Sequence, residues 1–499
     1  MITSSLKILL WGKEIGRLSW DHKKGASYFE YNREYLNGET DAFPLIASTK
    51  QPTSHRPIWG DKETKLYRKL PPFLADSLPD AWGSQVFECW RIENGIRSQE
   101  ITPLDILSFI GKRGMGALEF EPETSGAKQS EVLHLEALTK LARRIFMERE
   151  NTVISADDSF TMQSLIAVGT SAGGRQPKAI IAINQETGEI RSGQIAGLKG
   201  YDYCILKFGD KERSSAELEM AYYEMALTAG IDMMPCRLMD IGGEKHFVTK
   251  RFDRSNGNKI HMQTLAALYP EADSYEKLMQ VCRKMRLPES THEEVFRRMV
   301  FNILANNTDD HNKNFSFLMD EQGHWKLSPA YDMTYIFNAG GFLPETHHCL
   351  LIHGKYSGFN KADALILAKE SGIRRAEDII RQVGKSISQF RTYAKKYDVK
   401  ERWISAIEST LTTNLKSWGL MPEPSATTSF EIDGKPYTDI HIERAYKGNF
   451  HLYATINGEE RKIVISKNKP TYSLIEQIGA NRLSEEQLKD IVKAYISKT

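Results

Sequence analysis

The polar segment from Asn306 to Asn314 constrains the fold more than any other part of the chain. It contains two acids, one histidine, one lysine and several amides. An apolar run with helical periodicity, residues 295–304, precedes it, and a short strand-like run, residues 315–318, follows it. Because burying polar groups without hydrogen-bond partners costs free energy, these side chains require partners in the fold. We therefore expect a structured polar loop between two elements of the core.

The acids of this segment have the spacing of a catalytic loop. Asp309 and Asn314 stand five residues apart, as in kinases, where the acid meets the substrate hydroxyl and the asparagine holds magnesium. A third acid, Asp332, follows a hairpin-like turn at residues 320–323 and could reach the same metal. The alternative is a hydrogen-bonded loop that caps a helix, since this spacing alone is common.

A glycine-rich loop covers residues 169–178 and reads Gly-Thr-Ser-Ala-Gly-Gly-Arg-Gln-Pro-Lys. Glycines allow backbone N–H groups to approach phosphate oxygens. The loop lacks the Lys-Ser/Thr pair of a P-loop. It does match the G-x-S-x-G pattern of serine hydrolases, with Ser171 as nucleophile, but Pro177 and the following β-branched run predict a strand where that motif needs a helix. A plain glycine turn is the third interpretation.

Lys207 lies in an apolar strand-like run, residues 205–208. Lysine is seldom buried without a partner, so this residue is a candidate for contact with ATP phosphates, with Glu219 on the following predicted helix as its ion-pair partner. An edge-strand lysine that blocks strand pairing is the alternative.

Residues 250–254 read Lys-Arg-Phe-Asp-Arg and follow a Gly-Gly hairpin. Their place between two predicted lobes suits a hinge that binds adenine through the backbone. For Asp253 and Arg254 we expect an internal salt bridge.

Bulk composition excludes several classes of function. Lys plus Arg (66) nearly equals Asp plus Glu (65), so the chain does not bind polyanions by net charge. The 5 cysteines are scattered without a C-x-x-C pair, which speaks against a disulfide framework or a cysteine zinc site and favours the cytoplasm. The apolar run at residues 8–11 is too short for a signal peptide. The sequence contains no run of about 18 apolar residues, so we expect no membrane span.

The periodicities predict an α+β, two-lobed, protein-kinase-like fold. Residues 1–150 are expected to form an N-terminal β-rich and helical subdomain, and residues 151–255 a nucleotide-binding N-lobe. Residues 256–421 are expected to form a helical C-lobe that carries the catalytic loop. After a proline-containing linker, residues 422–499 are expected to form a small C-terminal α+β domain.

Five motifs occur in the order and spacing of the HipA-type serine/threonine kinases, the toxins of bacterial type II toxin–antitoxin modules. They begin at residues 171, 205, 250, 308 and 329, and the resemblance covers about residues 5–415. The T-D-x-H-x-K-N motif is its most specific part. Arg175, Pro177 and Asp310 depart from the common family residues, and the segment after about residue 422 has no counterpart in the family core.

The resemblance implies a role for each matching position. The catalytic group would comprise Asp309, His311 and Lys313, and Asn314 and Asp332 would bind Mg²⁺. The residues that bind ATP would be Lys207, Arg251, Phe252, Gly173, Gly174 and Lys178. Ser171 matches the autophosphorylated serine of the family, whose phosphorylation ejects the glycine loop and silences the kinase.

The resemblance also implies partners. The expected ones are a separately encoded DNA-binding antitoxin of HipB type and a protein substrate from the translation machinery, such as an aminoacyl-tRNA synthetase. DNA would be contacted only through the antitoxin, and no membrane is involved. A phosphoinositide-type lipid kinase with a D-x-H-x-x-N-like loop is an alternative. A kinase fold that acts by binding alone is another, and the intact Asp309, Asn314, Asp332 and Lys207 argue against it.

Overall fold

The fold is taken from a computed structural model of the chain, which describes most of its residues. The described residues are 3–98, 101–125, 133–148, 165, 176–194, 196–338, 340–341, 343–421, 430–432, 435–443, 449–456, 459–466 and 473–477. The predicted loop residues Ser171, Gly173 and Gly174 and the helix predicted at 484–497 lie outside them. The chain divides into two compact units, Met1–Met421 and Pro422–Thr499.

An antiparallel sheet and short helices form the N-terminal subdomain. Its strands are β1 (Ser5–Leu10), β2 (Lys13–Asp21), β3 (Ala26–Tyr31), β4 (Ile58–Trp59) and β5 (Leu118–Glu121), in the order β4-β3-β2-β1-β5. Burial alternates along β1, because Leu6, Ile8 and Leu10 are buried while their neighbours in the strand are more exposed. The helices are α1 (Arg33–Leu36), α2 (Pro72–Ala75), α3 (Ala81–Glu93), α4 (Pro103–Ile110) and α5 (Leu135–Glu148).

The sequence predicts helical pieces near residues 72–95, and the structure contains two helices there, α2 and α3, with a break between them. The break falls at Leu78-Pro79-Asp80. Pro79 disfavours helical geometry in the residue before it. Asp80 then caps α3, because its side chain accepts a hydrogen bond from the Gly83 N–H.

A second antiparallel sheet forms the N-lobe. Its strands are β6 (Lys178–Asn184), β7 (Ile190–Ser192), β8 (Tyr201–Lys207), β9 (Cys236–Ile241) and β10 (Glu244–Lys250), in the order β7-β6-β8-β10-β9. Helix α6 (Ser215–Thr228) connects β8 to β9 and packs on β9 and β10. The register places Lys178 directly opposite Lys207 on the paired strands β6 and β8.

The C-lobe is mainly helical, with two small sheets. The sheets consist of β11 (Arg254–Ser255) with β12 (Asn258–Lys259), and of β13 (His261–Thr264), β14 (Ser316–Met319) and β15 (Trp325–Leu327). The helices are α7 (Leu265–Leu268), α8 (Tyr275–Lys284), α9 (Glu289–Leu304), α10 (Lys361–Glu370), α11 (Ala376–Ile387), α12 (Phe390–Lys396) and α13 (Glu401–Ser417). Within the described ranges, no helix has the length and apolar character needed to cross a bilayer.

The hydrophobic core has two main parts, and each contains residues from more than one subdomain. One part joins the N-terminal sheet to the N-lobe, since Ile8 and Phe120 share a cluster with Ile181 and Leu206. The other part joins helix α6 to the C-lobe helices. The N-terminal subdomain therefore packs against the N-lobe sheet, and the predicted α+β class is confirmed.

The second unit contains an antiparallel meander in the described part of residues 430–477. Its strands are β16 (Phe430–Ile432), β17 (Lys435–Glu443), β18 (Asn449–Ile456), β19 (Glu459–Ser466) and β20 (Ser473–Gln477), paired in sequence order. The sequence predicts four strands at 430–432, 439–442, 450–456 and 462–465, and β20 is the strand that it misses.

We expect a fragment of residues 1–421 to fold and to keep the ATP-dependent autophosphorylation implied by the sequence. The reason is that every chemical motif lies upstream of the boundary between the two units. Thermal melting and a phosphorylation assay measure this. A fragment of residues 1–400 is the control, because it lacks α13 and its buried Ile404, Ile407, Leu411 and Leu415 and should not fold. An insoluble or inactive 1–421 fragment would show that the second unit is required.

Candidate active site

One cavity of about 400 Å³ collects the candidate residues that the structure describes. Its walls come from the N-terminal subdomain, the N-lobe sheet and the loops of the C-lobe. The described candidates that line it are Lys178, Lys207, Arg251, Phe252, Asp309, His311, Lys313, Asn314 and Asp332. These residues span more than 150 positions of sequence, so the fold alone brings them together.

Two lysines enter this cavity from directly opposed positions on β6 and β8. Side chains at such positions lie on the same face of the sheet, where like charges destabilise the pair. Lys207 is nearly buried and donates to both Glu219 on α6 and Asp332 of the C-lobe. Lys178 is buried as well and contacts Asp80, with 3.2 Å between Nζ and Oδ2. The ion pair predicted between Lys207 and Glu219 is therefore present.

Asp332 has an unusual backbone and a perturbed carboxylate. Its φ of 54° lies in the left-handed region, which few residues other than glycine adopt. Burial raises the pKa of Asp332, but the ammonium groups of Lys207 and Lys178 outweigh burial and lower it below its usual value. The same two effects act in the opposite directions on Lys207. Burial lowers its pKa, but the carboxylates of Asp332 and Glu219 outweigh burial and raise it above the usual value. Both groups are consequently held in their charged forms.

The polar segment of residues 306–314 follows the end of α9. Asn306 adopts a left-handed φ of 56°, and its Nδ2 donates to the carbonyl oxygens of Ile336 and Glu345 at 3.2 and 3.1 Å. Asn307 donates through Nδ2 to Oδ1 of Asn302 at 2.9 Å. These bonds supply the partners that a polar segment between core elements requires.

The two adjacent acids of this segment have different surroundings. Asp310 is buried and accepts from Tyr275 Oη at 2.7 Å and from the Cys349 N–H at 2.8 Å, and His348 Nδ1 lies 2.9 Å from it. The side chain of Asp309 is 55% exposed and borders the cavity. Asp310 is therefore a structural anchor, whereas the Asp309 carboxylate is accessible from the cavity.

Asn314 and Asp332 provide oxygen ligands that suit magnesium. Asn314 donates through Nδ2 to the Asp309 carbonyl oxygen at 2.7 Å, which leaves its Oδ1 for a cation. Across the described part of the chain, no group of three or more His, Cys, Asp and Glu side chains could hold a metal. Mg²⁺ is usually bound by one or two protein groups together with substrate phosphates and water, so this pair fits it.

Residues 250–254, the predicted hinge, carry a buried ion cluster. The Arg251 guanidinium donates to both oxygens of Asp253 at 2.8 and 2.7 Å and to the Gly193 carbonyl oxygen at 3.1 Å. Asp253 also accepts from Arg254 at 2.8 Å and from the Gly116 N–H at 2.7 Å. Burial raises the pKa of Asp253, but both arginines outweigh it and hold that pKa well below its usual range.

Arg251 and Phe252, the two predicted hinge residues, present different groups to the cavity. The side chain of Arg251 is fully buried and bound within the cluster, so its main chain is the part available to the cavity. The ring of Phe252 borders the cavity and lies 5.4 Å from that of Tyr331. Apolar residues continue this wall and suit a flat heterocyclic base; they are Ile205, Met233, Met234, Phe247 and Ile336.

Sequence reasoning missed the contribution of the N-terminal subdomain. Asp76, Asp80 and Met115 all line the cavity. Asp76 accepts from the Thr264 N–H at 2.8 Å and from the hydroxyl of the same residue at 2.6 Å. The signal that could have found Asp80 is its position after Pro79, where an acid that caps a helix is expected.

Two family models match the chain. The HipA N-terminal domain matches residues 6–121, and the HipA-like C-terminal domain matches residues 170–390. Together they cover more than half of the chain and include the described residues that line the cavity.

Curated relatives carry names that describe kinases. A Haemophilus influenzae protein named as a kinase is 26% identical over 213 residues, which are 38% of this chain and 60% of that protein. A Sinorhizobium fredii protein named as a kinase is 24% identical over 349 residues, 64% of this chain and 75% of that protein. The serine/threonine-protein kinase toxin HipA of Shewanella oneidensis is 28% identical over 89 residues, 18% of this chain and 19% of that protein. The chain thus spans less than two thirds of the Haemophilus protein.

A solved structure shares the fold. In the complex of HipA, HipB and operator DNA from Shewanella oneidensis, the matching chain has a TM-score of 0.59 and 16% identity, and the match covers 83% of this chain and 97% of that one. This likeness confirms the predicted kinase-like fold. Taken with the two matched domains, it shows that the chain belongs to the family of HipA-type kinases.

Proposed function

We propose that the chain is an ATP- and magnesium-dependent kinase that phosphorylates serine or threonine in a protein, and that it acts as a toxin of HipA type. The observation that carries this proposal is the convergence of Asp309, Asn314, Asp332 and Lys207 on one cavity. Each has the residue type that phosphoryl transfer needs: an acid beside the nucleophile, oxygen ligands for a metal, and a cation for phosphate.

Each residue of the cavity has a separate role in the proposed phosphoryl transfer. Asp309 accepts the proton of the attacking hydroxyl, and its partial exposure lets a protein substrate reach it. His311, whose Nε2 lies 3.7 Å from Oδ1 of Asp309, and Lys313 complete the polar wall of the cavity. Lys207 binds the ATP phosphates. Mg²⁺ held by Asn314 and Asp332 would neutralise phosphate charge.

The partners proposed for this kinase follow from its family. The HipA chain of the matched structure is in complex with HipB and operator DNA. By analogy, the partner of this chain would be a separately encoded antitoxin of HipB type, and DNA would be contacted through it. The substrate would be a translation component in the cytoplasm, and autophosphorylation would occur at Ser171.

Asp309→Asn should lower phosphoryl transfer on the order of 10²–10⁴-fold, the usual contribution of a positioned base. The amide has nearly the same shape as the carboxylate, so thermal stability and ATP affinity should stay close to those of the unmodified chain. Transfer is measured with labelled ATP. Glu321→Gln is the control, because this exposed turn residue lies near in sequence and does not border the cavity. Autophosphorylation at the unmodified rate in Asp309→Asn would refute the assignment.

Incubation with ATP and Mg²⁺ should add one phosphate to the chain at Ser171. The phosphate brings about −1.5 to −2 charges next to the ATP phosphates and should silence the kinase. Intact-mass analysis detects the adduct, which should be absent in Ser171→Ala. If Ser171 is instead labelled by a fluorophosphonate, the serine hydrolase interpretation is correct.

A further inference from the structure

Asp80 lies where the N-terminal subdomain meets the N-lobe, and its two carboxylate oxygens have different partners. Oδ1 accepts from the Gly83 N–H at 2.6 Å and caps α3. Oδ2 accepts from Lys178 Nζ at 3.2 Å. The contact is well shielded from water, since the side chains of Lys178 and Asp80 are 4% and 11% exposed.

The backbone of Lys178 is held by the same helix. The indole N–H of Trp82, in the first turn of α3, donates to the Lys178 carbonyl oxygen at 2.9 Å. The start of α3 thus binds both the main chain and the side chain of this residue. Neither contact comes from within the N-lobe sheet.

The charges around the cavity explain why Lys178 requires such a partner. It stands opposite Lys207, whose ammonium is already bound by Glu219 and Asp332. A second buried ammonium on the same face is repelled by the first, and a further carboxylate beside it offsets this repulsion. Asp80 supplies that carboxylate from a position 98 residues away in the sequence.

We propose that Asp80 is a positioning residue for phosphate binding, which holds the Lys178 ammonium inside the cavity so that it can contact the phosphates of ATP. This inference rests on the proposed kinase function and extends it, because it makes the N-terminal subdomain part of the nucleotide site. Asp80 acts through Lys178 and need not touch the nucleotide itself.

The proposal differs from two simpler roles for Asp80. If it only caps α3, Asp80→Asn should have little effect, because asparagine caps a helix as well as aspartate does. If it is only a negative charge near the phosphates, Asp80→Asn should bind ATP more tightly, because a repulsion is removed. A positioning role predicts weaker binding, and it predicts that this loss depends on Lys178.

The test is a double-mutant cycle of Asp80→Asn and Lys178→Met in the full chain. Calorimetry with Mg²⁺ and a non-hydrolysable ATP analogue measures affinity without turnover, and initial rates give kcat and KM for ATP. Asp105→Asn is the matched control, because Asp105 takes part in the capping box of α4 in the same subdomain and does not border the cavity. Thermal melting verifies that each variant is folded.

Asp80→Asn should weaken analogue binding on the order of tenfold and raise the KM for ATP by a similar factor, with a smaller effect on kcat. The double variant should bind no more weakly than Lys178→Met alone, since contacting residues are not additive. Unchanged or tighter binding in Asp80→Asn, or additive losses, would overturn the inference while the kinase function stands. An unmodified chain that binds no analogue and transfers no phosphate would overturn both.

Discussion

Two buried lysines that face each other across paired strands set the main physical constraint on this molecule. Lys178 and Lys207 occupy opposed positions on β6 and β8 and line one cavity. Ammonium groups this well buried are stable only when carboxylates hold them. Those carboxylates come from three parts of the fold: Asp80 from the N-terminal subdomain, Glu219 from α6 and Asp332 from the C-lobe. Charge balance in the cavity therefore requires all three parts to be in place.

Other buried acids fix the frame around this cavity. Asp253 binds two arginines and the Gly116 N–H, so it ties the hinge to the N-terminal subdomain. Asp310 anchors the polar segment of residues 306–314 to Tyr275, to His348 and to the Cys349 N–H. Removal of either carboxylate would leave buried donors without a partner, which costs more free energy than the loss of an exposed ion pair.

Local sequence was sufficient to predict the parts of the site that are encoded by short motifs. Strand β6 begins directly after Pro177, where the β-branched run predicts a strand. The Lys207–Glu219 pair follows from an apolar strand that contains a lysine and a helical residue twelve positions later. The polar segment at Asn306 to Asn314 is placed as expected between a helix and a strand. In each case the partners are close in sequence or share a periodic pattern.

The remaining features depend on contacts between distant parts of the chain. The role of Asp80 at the cavity is not evident from local sequence, because its partner Lys178 is 98 residues away. Asp310 departs from the family pattern in sequence, and its structural role is visible only in the fold, through its contacts with Tyr275, His348 and Cys349. The burial of the Arg251 side chain also depends on a distant residue, because its guanidinium donates to the Gly193 carbonyl oxygen, which is 58 residues away in sequence. The residue type determines which chemistry a side chain can perform. Tertiary contacts determine which of its oxygen or nitrogen atoms can still bind a ligand.

As a kinase, the chain would have to bind ATP with Mg²⁺ in this cavity and transfer phosphate to protein. The most direct measurement incubates the purified chain with γ-labelled ATP and a bacterial lysate, with and without EDTA, and identifies labelled proteins by mass spectrometry. The account predicts label on serine or threonine of the chain itself and of at least one lysate protein, and loss of both labels when EDTA removes the metal. Absence of protein labelling, or labelling that is unchanged by EDTA, would contradict it.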